Sequence, residues 1–422
     1  MPKRWRIAPH DASGIQALER SAGISAVVAQ LLVARGVSDP QVARDFLDPR
    51  LANLRDPDEL PGCTQAAEYT MQAIRDRRPI VIYGDYDVDG MSGTALLLLC
   101  LRMLGATVSS YVPHRLDEGY GLHVEALRTL AESGAKLVIT VDCGIGSVHE
   151  ARATAELGLD LIITDHHQPG SELPRALAIC HPSLPGREYA FPGLCGAGVA
   201  FKLAWAICQQ ASQSKKVSEG MKNFLLQALG LVSLGTVADC VPLVDENRAF
   251  VRHGLVSLRQ RPTPGVAALM HVTGVDQKRE LSSEDVAFSL APRLNAAGRL
   301  GQASLAVELL ITDSPQRAAA LAEYLHELNG SRDSIERSIY LAANRQVQEQ
   351  FDGASDAALV LAERGWHAGV IGIVASRLAE KFHCPVALIA FDELGAKPGV
   401  GSARSVPGFD LHAASSLARN IW

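Results

Sequence analysis

The segment VIYGDYDVDG, residues 81–90, carries three carboxylates, Asp85, Asp87 and Asp89, at alternate positions ahead of a glycine. Calcium-binding EF-hand loops also begin D-x-D-x-D-G, but they close the cage with a glutamate at the twelfth position. Counted from Asp85, that position is Leu96. An EF-hand also needs a helix before the loop, whereas PIVIY is a short β-branched and aromatic run that reads as a buried strand. A solvated turn or a catalytic metal site remains.

Two further apolar runs end in the same kind of residue. LVITVDCG delivers Asp142, LIITDHH delivers Asp165, His166 and His167, and a helix-like run closes on Asp239 in GTVADCVPL. In an open parallel sheet, ligands bind beyond the carboxyl ends of the strands. Carboxylates crowded on that rim repel one another and raise their own pKa values unless a cation neutralises them. Aspartates with one or two histidines suit Mn²⁺ or Mg²⁺, and a pair of such ions about 3.5–4 Å apart is the clamp of phosphoester hydrolysis. A phosphate-cradling glycine loop fits poorly, because its own acids would repel the phosphate and no G-x-x-x-x-G-K-[ST] follows.

The elements that must position these groups alternate from about residue 79. Apolar strands such as PIVIY, TVSSYVP, AKLVITV and LDLIIT are separated by amphipathic helices, the pattern of a parallel sheet covered on both faces. A helical lead-in occupies 1–60, and the acid-bearing α/β domain spans 61–312. A Gly-poor, charge-laced pattern over 313–352, with one glycine at 330, reads as a connecting helix in one or two pieces, and a smaller α/β unit begins at 353 with AALVLAE, GVIGIVASRLAEKF and CPVALIAF.

With 422 residues, 47% hydrophobic and 20% charged, the chain is globular and long enough for two or three domains. The eight cysteines include no C-x-x-C pair and mostly sit in apolar runs, which reads as buried thiols in a reducing cytoplasm. No signal-like h-region opens the chain, and TALLLLCLRMLG is interrupted by Arg102, so no membrane association is expected. The net charge of −6 argues against non-specific duplex binding over the whole surface but leaves room for a local basic channel.

The ordered set DYDVDG, VDCG, DHH and ADCVPL resembles the DHH phosphoesterases, and within them the branch of bacterial single-strand DNA exonucleases. PHRLDEGYGL, APRLNAAGRLG, GWHAGVIGIVASRLAEKF and GSARSVPGFDLHAA extend the likeness over nearly all of the chain beyond the lead-in. The resemblance implies a parallel-sheet DHH domain joined by a long helix to a smaller DHHA1 domain. It implies a 5′-to-3′ exonuclease that releases 5′-mononucleotides with two Mn²⁺ or Mg²⁺ ions, acting in DNA repair and recombination, with single-strand-binding protein and a helicase as partners.

Residue by residue, the same resemblance implies that Asp87, Asp89, Asp142, His166 and Asp239 hold the metals, with Asp142 as the bridge. His167 would be a further ligand or a contact to the scissile phosphate, and Asp85 and Asp165 would orient ligands. Arg115 and Arg293 would line the DNA channel, Arg299, Ser402 and Arg404 would form a pocket for the terminal 5′-phosphate, and Asn295 would fix the local backbone or a phosphate. His367 would face that glycine-rich region, and Tyr120 would stack on a base. GSARS stands where many relatives read G-S-G-R-S, and the family continues with a G-G-H segment and a strand-gripping OB-fold, so the second domain is expected to be shortened here. The alternatives are a DHH hydrolase of short oligonucleotides or small phosphorylated substrates, and a non-catalytic replication scaffold.

Overall fold

A computed structural model describes residues 7–187, 189–352, 356–393, 395, 398–411 and 413–414. Five parallel strands form the main sheet: β1 (Ile80–Gly84), β2 (Val108–Tyr111), β3 (Leu137–Val141), β4 (Asp160–Thr164) and β5 (Ala178–Cys180), in the order β2-β1-β3-β4-β5. The strand order reverses between β1 and β3, and at such a switch point the crevice beyond the strand ends is open to a ligand. Both strands are buried along their whole length, as expected for an apolar run covered on both faces. The expected α/β class is therefore present. The three-residue β5 is an addition to it, too short to have a readable period.

The helix Val88–Met103, entered directly from the acidic turn, is buried on almost every side. It is sandwiched against two long apolar helices, Gly196–Ser212 and Glu219–Ala238. Among the described residues, Glu219–Ala238 is the one helix long and apolar enough to cross a membrane; it packs into this core through Leu225, Leu229, Val232 and Leu234. Lys202, fully buried, donates to Glu246 at 2.5 Å and to the Arg55 carbonyl at 2.6 Å, which ties the lead-in to the domain. The lead-in helices Ala12–Ala22, Ala26–Val33 and Pro40–Leu47 have a small core of their own.

A single 36-residue helix, Pro315–Gln350, belongs to two cores. Its first half buries Leu321, Ala322 and Leu325 in the main core, and its second half buries Ile339, Ala343 and Val347 in the smaller one. The smaller unit contains β6 (Leu359–Arg364), β7 (Val386–Phe391) and β8 (Val400–Arg404), with β6 and β7 parallel and β8 antiparallel at the edge. The helix Ala368–Phe382 covers one face of this sheet. Glu336 accepts from Arg332 at 2.6 Å on the long helix and from Arg377 at 2.7 Å on the covering helix, an ion-paired clamp between the two units. The tail of the second domain lies partly outside the described residues.

Candidate metal centre and anion pocket

The chain leaves β1 at Gly84 and β3 at Val141, neighbours in the sheet, so Asp85 and Asp142 emerge side by side; the Asp85 N–H donates to the Val141 carbonyl at 3.1 Å. Asp142 has φ of 63°, a left-handed conformation that Asp and Asn tolerate better than other side chains. Asp87 caps the helix Val88–Met103, its Oδ1 accepting from Asp89 N–H at 2.9 Å and Gly90 N–H at 3.1 Å. Both oxygens of Asp89 accept from the N-terminus of Gly196–Ser212, at 2.6 Å from Gly196 N–H and 2.8 Å from Ala197 N–H. A helix N-terminus favours a carboxylate there.

Beyond β4, Asp165 anchors the next turn. Its carboxylate accepts from the backbone N–H of Ile145 (2.9 Å), His166 (2.7 Å) and His167 (3.1 Å), and its Oδ1 lies 2.7 Å from His167 Nδ1. The hydrogen of His167 therefore resides on Nδ1, and Nε2 is left as the free nitrogen. His166 Nε2 stands 3.0 Å from Asp142 Oδ1, 3.7 Å from Asp239 Oδ2 and 3.8 Å from Asp89 Oδ2.

Three sets of donor atoms lie close enough to share a cation: Asp85, Asp87 and Asp142; Asp142, His166 and His167; and Asp89, His166 and Asp239. Asp142 and His166 each belong to two sets. The structure thus gathers seven of the eight acidic and imidazole residues singled out from the sequence, and places Asp165 behind His167. Asp85 Oδ1, Asp142 Oδ1 and His166 Nε2 are buried without a hydrogen-bond partner, although two of them approach to 3.0 Å. A buried polar group left in that state is costly. Divalent ions with oxygen and imidazole ligands fit this donor set.

The electrostatics point the same way. Burial, with Asp87 beside it, pushes Asp85 up to about 8, and burial near Asp89 and Asp87 takes Asp239 to about 7. Burial also raises Asp89 and Asp142, the latter further lifted by the surrounding aspartates. His166 is lowered by burial, which keeps its imidazole neutral and available as a ligand. His167 is raised, chiefly by its bond to Asp165. Asp165 stays low: burial acts against it, but the bonds from His167 and the Ile145 amide prevail.

The basic residues collect on the facing wall. Arg115 stacks over the Tyr86 ring at 4.6 Å, and Asn295 Oδ1 accepts from Val88 N–H at 3.2 Å, so Asn295 fixes the backbone of the acidic turn. Arg299 donates to the Gly369 carbonyl at 3.3 Å, while His367 caps the helix Ala368–Phe382 through Gly369 N–H. A β-carbon at Gly369 would stand 2.1 Å from the Arg299 carbonyl oxygen, so glycine is required for this approach. Arg404 donates to Ser376 Oγ (3.0 Å), Ser402 Oγ (3.3 Å) and the Ala403 carbonyl (2.7 Å). Burial, together with Arg115, Arg332 and Arg404, lowers Arg299 to about 10. Guanidinium groups placed so are chemically suited to an anion. Arg293 turns back onto its own helix, donating to the Ser289 carbonyl at 2.9 Å.

Tyr120, whose ring is exposed, also has a structural task. Its hydroxyl donates to the Asp142 carbonyl at 3.1 Å and lies 3.0 Å from His167 Nδ1, so the phenol braces the acidic rim, with its ring edge-on to His167. His181 was missed altogether. Fully buried, it accepts from Ser183 N–H at Nδ1 (2.9 Å) and therefore donates from Nε2 to the His167 carbonyl (2.8 Å), holding the D-H-H turn from below. The available signal was its position: it follows β5 as D-H-H follows β4.

Residues 79–236 match the DHH family, N-terminal domain. The single-stranded-DNA-specific exonuclease RecJ of Bacillus subtilis is 42% identical over 99% of this chain and 51% of its own length. The Dickeya dadantii RecJ is 40% identical over 94% of this chain and 68% of its own. The chain belongs to the RecJ family. A Thermus thermophilus RecJ structure in complex with Mn²⁺ superposes with a TM-score of 0.82 at 33% identity, covering 99% of this chain and 57% of that one. A second RecJ structure, bound to manganese, has a TM-score of 0.73 at 37% identity over 87% of each chain. The chain spans about half the length of the Bacillus RecJ and about two thirds of the Dickeya one.

Proposed function

We propose that this chain is the nuclease part of a RecJ exonuclease, hydrolysing single-stranded DNA from its 5′ end to 5′-mononucleotides. The observation that carries the reading is the rim itself. Seven acidic and imidazole side chains from four segments share three cation-competent sets, with buried donor atoms left unpaired. The RecJ relatives, named for single-stranded DNA and solved with Mn²⁺ or Mg²⁺, support the substrate and the cofactor.

Asp87, Asp89, Asp142, His166 and Asp239 would hold two divalent ions, with Asp142 shared between them. When bound, such ions supply charge to the phosphoryl oxygens and acidify an attacking water. The protein's own part is positional. Asp165 keeps the His167 proton on Nδ1, and the exposed face of that imidazole offers Nε2 to a phosphate or leaving oxygen. Arg299, Ser402 and Arg404 would seat a terminal phosphate, which places the first phosphodiester over the rim and gives 5′ polarity. Arg115 and Arg293 would neutralise the strand behind it. Action in the cytoplasm, in repair and recombination, with a single-strand-binding protein and a helicase supplying the strand, accords with the family.

The test is a degradation assay with 5′-labelled and 3′-labelled single strands and a blunt duplex, in Mn²⁺, Mg²⁺ or chelator. Early release of labelled mononucleotide from the 5′-labelled single strand alone, abolished by chelator, is expected. Comparable digestion of the duplex, or early release from the 3′ label, would contradict the proposal.

A further inference from the structure

Among the described residues, Phe288 is, after Ile7 near the N-terminus, the most exposed large apolar side chain, at 76%. It lies in a five-residue π-helical stretch, Val286–Leu290, that runs without a break into the helix Ala291–Arg299. Local π-helical turns recur at functional sites. The buried side of this run, Val286, Leu290 and Leu294, faces the core. Positions 288, 292, 295 and 299 follow i, i+4, i+7 and i+11 and so share the opposite side. That side carries Asn295, which holds the acidic turn, and Arg299 of the anion pocket.

The surroundings are basic. Arg293 reaches back toward Phe288, its guanidinium 2.9 Å from the Ser289 carbonyl and 3.5 Å from that of Phe288. Arg332 on the long helix is held by Asp333 at 2.8 Å and Glu336 at 2.6 Å. The positive charge left for a strand is therefore that of Arg299, one end of the shared face, and of Arg293, beside the uncovered ring at the other. A basic track with an aromatic on it is how proteins grip single-stranded nucleic acid irrespective of sequence, since every base offers a π-face.

We propose that Phe288 is a base-stacking platform for the DNA strand, several nucleotides behind the terminal phosphate. Eleven residues separate it from Arg299, an axial distance of about 16 Å at 1.5 Å per residue. The inference rests on the exonuclease reading, and it predicts a dependence on strand length. A dinucleotide engages the pocket and the rim but does not reach the ring; a 20-nucleotide strand does.

The experiment measures kcat/KM on a 5′-phosphorylated 20-mer and a 5′-phosphorylated dinucleotide for wild type, Phe288→Ala and Phe288→Trp. Loss of one stacked base is worth about 1–3 kcal/mol, or about 5- to 150-fold. The ratio of 20-mer to dinucleotide kcat/KM should fall by that factor in Phe288→Ala and return in Phe288→Trp. A single abasic site moved along the 20-mer should depress wild-type kcat/KM at one position and leave Phe288→Ala insensitive there. An unchanged ratio in a protein that digests the 20-mer would overturn the stacking role and leave the exonuclease reading intact. Equal losses on both substrates would also overturn it, making Phe288 structural. A wild type that digests neither strand would remove the exonuclease reading, and this inference with it.

Discussion

Replacing Asp142 with asparagine should make the metal-free protein more stable and the metal-loaded protein less stable. The side chain is 2% exposed and stands among Asp89, Asp87, Asp85 and Asp165, so its charge is opposed by burial first and by its neighbours second. Asparagine keeps the shape and tolerates the left-handed backbone that Asp142 adopts at φ of 63°. In chelator the substitution removes a buried charge without opening a cavity. Removing a carboxyl that burial and its neighbours oppose should therefore raise Tm in chelator, at about 2–4 °C per kcal/mol gained for a domain of this size. With Mn²⁺ the order inverts, because a ligand at 100 times its Kd stabilises by about 2.7 kcal/mol and the variant lacks the shared carboxylate. Calorimetric unfolding of both proteins in EDTA and across an Mn²⁺ titration should show two curves that cross, with hydrolysis by the variant reduced by several orders of magnitude. The competing account treats Asp142 and His166, 3.0 Å apart, as an internal ion pair. In that case asparagine would lower Tm in EDTA too, and a variant less stable than wild type under both conditions would show that the Asp142 carboxylate stabilises the metal-free fold.

Three further outcomes follow from the same geometry. Asp85 near 8 and Asp239 near 7 bind protons in the folded state where the unfolded carboxyls are already ionised. The stability of the metal-free protein should therefore fall as pH rises from about 4 to 8, and saturating Mn²⁺ should flatten the profile; a metal-free Tm that climbs through that window would contradict it. Arg404→Ala should weaken a 5′-phosphorylated strand by one to two decades more than a 5′-hydroxyl strand, given about 1.5–3 kcal/mol for a charge-assisted bond, and equal weakening of both would reduce Arg404 to a general backbone contact. In Gly235→Ala the new β-carbon would stand 2.4 Å from Asp89 Oδ1 and 2.7 Å from the Ala197 β-carbon, so Mn²⁺ affinity measured by calorimetry should drop at least about tenfold with the circular dichroism spectrum retained; unaltered affinity would place Asp89 outside the metal shell.

The acidic rim was legible because strands announce their ends. A β-branched run followed at once by Asp85, Asp142 or Asp165 gives both the element and the place where its side chains emerge, and parallel order brings those places together. The long helix could be read from composition, although its unbroken course through Gly330 could not, since that depends on packing in two cores. The bracing roles of His181 and Tyr120 were hidden for a different reason. Each acts on a backbone carbonyl, of His167 and of Asp142, and sequence carries no mark of a carbonyl that needs a donor. The bond from Gly196 and Ala197 to Asp89 was equally silent, since GAGVAF reads as a helix start and nothing in it names the carboxylate it will meet. The π-helical turn that exposes Phe288 has no distinguishing residue type of its own.

A rim that holds two cations with Asp142 between them should show both ions in an anomalous difference map from crystals grown in Mn²⁺ and recorded at the manganese edge. Two peaks about 3.5–4 Å apart are expected, both within ligand distance of Asp142 and otherwise surrounded by Asp87, Asp89, His166 and Asp239. A map with no peak there, or with a single ion that Asp142 does not touch, would contradict this arrangement.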